Sequence, residues 1–174
     1  MSPDDLSAAD VIGLLGLEPL PAEGGHFVQS WRSAEEVAAE ALPPRYGRGK
    51  LLGTAIYYLL SDDADSFSAL HRLPTDEVYH FYLGDPVELL LLGPGAASEV
   101  VRLGPGLRQG ERVQFVVPRG VWQGSRLRPG GRWALLGTTM APGFDPLDFE
   151  LGRAAALGES WPERRALIQE LSRA

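Results

Sequence analysis

From Leu51 to Met140 the chain is a succession of short apolar runs, set about ten residues apart and divided by glycine and proline. LLGTAIYYLL (Leu51–Leu60), VYHFYL (Val78–Leu83), VELLLL (Val87–Leu92), VQFVV (Val113–Val117) and WALLGTTM (Trp133–Met140) are its strongest members. SDDAD, GDP, two GPG triplets and PRG stand between them. The 21 Gly and 14 Pro exceed the usual averages of about 7% and 5%, and they fall between runs, not in one low-complexity tract. Strands so short, joined by turns so tight, pair as hairpins and close into a sandwich or barrel. With His26–Arg32, Glu99–Leu103 and Val121–Arg126 the count reaches eight to ten strands.

The ends are of another kind. Ser7 and Asp10 form a capping-box pattern ahead of Val11, Ile12, Leu14, Leu15 and Leu17, with Gly16 as terminator, which predicts a short helix. Pro19–Gly25 reads as a turn, and Ser33–Lys50 as an exposed connection in which Glu35–Leu42 has room for a helical turn or two. Pro162–Leu171 predicts a closing helix with proline in its first turn. There is no internal repeat and no second core. The expectation is one domain over residues 1–174, with its core at about 10–152 and a helical tail at about 160–172.

A formal charge of −7 argues against nucleic acid or an anionic membrane as the main partner. No window nears the roughly 18 apolar residues of a membrane span. The acidic start, MSPDDLSAAD, lacks the features of a secretion signal. The absence of cysteine removes disulfides, thiolate nucleophiles and Cys-based zinc sites. The expected setting is cytoplasmic, with no nucleic-acid or membrane partner.

Chemistry concentrates in Ser66–Gly84, SFSALHRLPTDEVYHFYLG, which holds His71, Asp76, Glu77 and His80. Imidazole with carboxylate suits either first-row divalent metals or acid–base catalysis. In an unbroken strand Glu77, Tyr79 and Phe81 face one way and Val78, His80 and Tyr82 the other, so Glu77 and His80 share a face only if the strand is bulged. His71 is read as part of a proline-containing turn ahead of that strand, free to join Glu77. Asp76 is read as a turn-orienting residue. Trp122 and Gln123, after Pro118-Arg119-Gly120, are candidates for the cavity mouth.

Taken together, Glu23-Gly24-Gly25-His26-Phe27, Thr54-Ala55-Ile56-Tyr57-Tyr58-Leu59-Leu60, Leu70-His71-Arg72, Asp76-Glu77-Val78-Tyr79-His80-Phe81, Val117-Pro118-Arg119-Gly120-Val121-Trp122-Gln123 and Ala141-Pro142-Gly143-Phe144 through Asp148-Phe149-Glu150 resemble the cupin superfamily, and within it the cupin-5 (DUF985) family. The resemblance implies an all-β fold, a cupin-type double-stranded β-helix or jelly-roll barrel, with short terminal helices. It also implies a homodimer. His71, Glu77 and Gly84 match the spacing of the first cupin motif, but Leu73 stands where a second histidine ligand belongs, and Gln123 where a third does.

Two of four metal ligands are thus replaced, so no cofactor is expected beyond a weakly bound divalent metal, whose donors would be His71, Glu77, His80 and Gln123. The expected function is binding of a small molecule, with metal-independent isomerase, epimerase or lyase chemistry on a sugar- or nucleotide-like metabolite. His71 serves as base and Glu77 as its partner or the acid, with Tyr79, Phe81, Trp122, Gln123 and His80 contacting the ligand. The alternative is a non-catalytic binding protein using the same barrel.

Overall fold

The strand cadence is realised as two antiparallel sheets packed face to face in the computed structural model, which describes residues 6–173. The first five residues of the acidic start, and residue 174, lie outside the described residues. In chain order the strands are β1 (Glu18–Pro19), β2 (His26–Arg32), β3 (Glu36–Val37), β4 (Lys50–Leu51), β5 (Thr54–Ser61) and β6 (Phe67–Arg72). They continue as β7 (Glu77–Gly84), β8 (Val87–Leu92), β9 (Ser98–Leu103), β10 (Gln114–Val117), β11 (Trp122–Leu127), β12 (Trp133–Met140) and β13 (Glu150–Leu151). One sheet runs β1-β2-β5-β12-β7-β10, the other β13-β6-β11-β8-β9, and β3 pairs with β4 alone.

Period-two alternation builds the core. Tyr58 and Leu60 of β5, Tyr79 and Phe81 of β7, and Ala134 and Leu136 of β12 meet Val87, Leu89 and Leu91 of β8 and Val101 and Leu103 of β9. The alternate residues are also apolar, because helices cover both outer faces in part. Leu59, Trp133 and Leu135 pack under helix α1 (Ala8–Leu15) with Val11 and Leu17. Leu70, Leu90 and Leu92 pack under the C-terminal helices α2 (Ala154–Ser160) and α3 (Arg165–Glu170), through Leu157, Ile168 and Leu171. This explains why β5, β8 and β12 read as near-continuous apolar runs, not as alternating ones.

The N-terminal capping box forms: Ser7 Oγ accepts from the Asp10 N–H, and the Ser7 N–H donates to Asp10 Oδ2. Gly16 closes the helix in the left-handed region at φ 64°. The closing helix begins with a 3-10 turn at Pro162–Arg164 before α3, and α2 precedes it, a helix the sequence reading left out.

Three other expectations are corrected. Ser33–Lys50 is not simply an exposed connection: it pairs β3 with β4, buries Tyr46 and buries Lys50 between Asp145 and Asp148. The run beginning at Leu51 breaks at Leu52-Gly53, where Trp31 lies so close over Gly53 that a Cβ there would meet its ring at 2.7 Å. His71 lies within strand β6, not in a turn, opposite Gln123 of β11 and Leu151 of β13.

Candidate functional site

Strand β6 carries the decisive irregularity. Against β11, Gln123 faces His71 and Ser125 faces Ser68, so three steps along β6 oppose two along β11. This bulge lets Ser68 and His71 turn inward together while Leu70, between them, goes outward beneath the C-terminal helices. Gly124 sits where the distortion brings the strands together, since a Cβ there would meet the Ser68 carbonyl and the Leu70 side chain at 3.1 Å.

His71 is 2% exposed. Its Nδ1 lies 2.8 Å from the Ala69 carbonyl, which can only accept, so Nδ1 carries the proton and Nε2 faces the pocket. Nε2 is 3.9 Å from Glu77 Oε2, an electrostatic contact too long for a hydrogen bond. Gln123 donates from Nε2 to the same carboxylate oxygen at 2.7 Å, and its buried Oε1 has no hydrogen-bond partner among the described residues. Phe149 covers the imidazole face.

A second carboxylate enters from the turn before β2. Glu23 reaches inward to accept from Ser68 Oγ at 2.7 Å. Its turn folds back tightly, with Gly24 at φ 104° and Gly25 at φ 69°. A Cβ on Gly25 would meet Tyr58 Oη and the Leu59 carbonyl at 2.8 Å. Tyr58 Oη donates to the Gly24 carbonyl, and Arg173 donates to the carbonyls of Glu23, Asp65 and Phe67.

These charges act on one another. Burial by itself lowers the His71 pKa, but Glu23 and Glu77 outweigh it and raise it to about 9. Burial raises the Glu23 pKa, which His71 opposes. Tyr58 and Tyr79 are pushed well above the ordinary phenol value, chiefly by burial, and stay neutral.

The enclosed space beside these groups is about 80 Å³, lined among others by Glu23, Tyr58, His71, Leu73, Glu77 and Tyr79. Leu20, Glu23, Phe27, Gln29, Phe144 and Phe149 also line a wider outer cleft of about 1030 Å³. The pocket is thus a polar floor inside a jelly-roll barrel, reached past Leu20, Phe27, Phe144 and Phe149 with Glu23 and Gln29 beside them. The model of the family described as Cupin superfamily (DUF985) matches residues 9–152.

The chain belongs to the cupin superfamily. A crystal structure of protein SO0799 from Shewanella oneidensis is 35% identical, covering 97% of this chain and 98% of that one, with a TM-score of 0.82. A hypothetical protein from Leishmania major is 30% identical, covering 97% of this chain and 100% of that one, with a TM-score of 0.84. The uncharacterized protein YML079W of Saccharomyces cerevisiae is 29% identical over an alignment of 132 residues, with 71% of this chain and 64% of the yeast protein covered. The match thus spans somewhat under two thirds of that relative's length.

Against this cupin framework the predicted residues separate into three groups. His71, Glu77, Tyr79 and Gln123 come together at the pocket floor. Phe81 faces the same interior but lies in the packed core and does not line the cavity. His80 and Trp122 lie elsewhere, and their assignment to the pocket is corrected. β7 does carry a bulge, but at Tyr82, beyond His80. His80 therefore keeps the outer face, bonded to Thr139 Oγ1 and Gln114 and stacked on Tyr82. Trp122, adjacent to inward-facing Gln123, points outward beneath the C-terminal helices with Arg72 over its ring at 4.6 Å.

Glu23 was not singled out from sequence as a site residue. Its place in the Glu23-Gly24-Gly25 turn, a carboxylate beside two glycines that bring the backbone close to the barrel, was the available signal. Asp76 does orient a turn, accepting the Arg119 N–H at 2.8 Å.

The donor set does not fit a cupin metal. At the four positions that the cupin resemblance gives to metal ligands stand His71, Leu73, Glu77 and Gln123, yet Leu73 has no donor atom and Gln123 turns its N–H₂ toward Glu77. Among the described residues no three His, Cys, Asp or Glu side chains are placed to hold one metal ion between them. Nor, among them, is any helix long and apolar enough to cross a membrane.

Proposed function

We propose that this cupin binds a small polar metabolite, sugar- or nucleotide-like, and moves a proton on it without metal, as an isomerase, epimerase or lyase. The observation that carries the reading is the buried His71 whose Nε2 faces both the pocket and the Glu77 carboxylate. A reaction that shifts a proton beside a carbonyl needs one group to take it and another to supply one. With the imidazole held protonated near neutral pH, His71 supplies the proton and Glu77, oriented by the Gln123 amide, takes it. These roles are the reverse of those expected from the sequence, where the second carboxylate, Glu23, was not counted. Tyr58 and Tyr79, both buried, line the pocket beside the pair.

The test is exchange of carbon-bound hydrogen for deuterium in small hydroxycarbonyl compounds, followed by NMR in D₂O with the intact protein. Exchange that disappears in both His71→Gln and Glu77→Gln supports the reading. Binding with no exchange in any compound would overturn it in favour of a non-catalytic binding protein.

A further inference from the structure

The two chambers and the charges around the inner one narrow the ligand, on the premise that the pocket just described is the binding site. We infer that the inner chamber takes an uncharged headgroup bearing hydroxyl or carbonyl oxygens, that the rest of the ligand lies in the outer cleft, and that Glu23 is the residue that rejects anionic headgroups.

Size comes first. About 80 Å³ equals the liquid volume of roughly two to three waters, so the inner chamber holds a unit of about three to six heavy atoms. The outer cleft, about 1030 Å³, opens onto it through shared residues and has room for a larger substituent.

Charge comes second. Two carboxylates, Glu23 and Glu77, border the chamber against one imidazole, His71. The cations nearby are engaged elsewhere. Lys50 sits between Asp145 and Asp148, Arg72 is paired with Glu150, and Arg173 is spent on backbone carbonyls behind the Glu23 turn. A carboxylate or phosphate headgroup would meet two like charges in a low-dielectric space, with one cation already shared between them. A hydroxyl or carbonyl group meets complementary partners: carboxylate acceptors at Glu23 and Glu77, and the imidazole as donor. The outer cleft holds Glu18, Glu36 and Asp145 beside Arg32, so it offers an anionic group no net positive charge either.

The experiment compares molecules that differ only in oxidation of a terminal CH₂OH to carboxylate: 1,2-propanediol with lactate, glycerol with glycerate, and hydroxyacetone with pyruvate. Ligand-observed NMR with the full chain gives the affinities. Each neutral member should bind at least about tenfold more tightly than its acid, and Glu23→Gln should narrow that gap by a similar factor. Acids that bind as tightly as their neutral partners, or no binding by any of the six, overturn the inference. So does a folded Glu23→Gln protein with an unchanged gap, and the wild-type comparison decides the matter if that variant fails to fold. Neutral preference without deuterium exchange would defeat only the acid–base reading and leave this one standing.

Discussion

His71 and Phe149 lie ring on ring, their centroids 4.9 Å apart and their planes 23° from parallel. Phe149 follows a 3-10 turn, Pro146–Asp148, and Asp145 and Asp148 around that turn are bonded to Lys50 Nζ at 2.8 and 2.6 Å. The surface that covers the pocket histidine is therefore tied to a buried lysine on the edge of β4. Replacing Phe149 by Ala should cost about 2 kcal/mol of stability and weaken ligand binding, whereas Phe149→Tyr should preserve both. Urea denaturation and ligand titration of the two variants check this; equal behaviour would show that the stack is incidental.

Lys50 makes a separate prediction. Lys50→Met leaves Asp145 and Asp148 with only the more exposed Arg48 as partner, and should destabilise the fold by about 3 kcal/mol. Adding Asp145→Asn and Asp148→Asn should recover much of the loss, because the uncompensated charge disappears with them. A triple variant no more stable than Lys50→Met would mean that the lysine acts through packing.

The raised pKa of His71 sets a pH dependence. The folded chain keeps the proton up to about pH 9, while an unfolded histidine releases it near 6.5. Stability from this source is complete below about pH 6.5 and is lost as pH rises through about 9, since the native state then binds more protons than the unfolded one. Urea midpoints measured from pH 6 to 10 should fall across that window in wild type and less in His71→Gln. Proton-transfer activity should fall on the same alkaline limb as His71 ceases to be an acid. Parallel curves for the two proteins would contradict the assignment.

Metal content is the next expectation. With Leu73 and Gln123 in place of two histidines, protein isolated without added metal and dialysed should carry far less than one equivalent of iron, manganese, nickel or zinc. Elemental analysis measures it directly. A stoichiometric ion that vanishes in His71→Ala would reverse the conclusion.

The homodimer implied by the cupin resemblance has a candidate surface. Strand β10 is the end of its sheet, and Val113, Val116 and Tyr82 near it are 46%, 47% and 45% exposed. Light scattering should give twice the 18.8 kDa chain mass. Val116→Lys should shift it toward the monomer. A wild-type monomer at micromolar concentration would dispose of the idea.

Much of this was legible in the residues. Turn chemistry and period-two alternation set the strands, and β2, β8 and β12 begin and end where the apolar runs do. The same alternation put Glu77 and Tyr79 on one face and His80 on the other. It also implied that neighbours Trp122 and Gln123 could not both line a pocket, a consequence the motif-based expectation overlooked. These are local properties: backbone pleat and side-chain polarity are fixed by a few adjacent residues.

Tertiary structure decided the remainder. The bulge at Ala69–Leu70 shows itself only against the register of β11, and without it Ser68 and His71, three residues apart, would face opposite ways. Glu23 lies 48 positions before His71 in the numbering, and its approach depends on a glycine turn held by Tyr58 and by Arg173 from the far end of the chain. Charge coupling depends on distance in space and on burial, neither of which sequence separation encodes. The protein's strands were therefore written in its local pattern, while the protonation of its central histidine was set by two carboxylates that only the closed barrel brings to it.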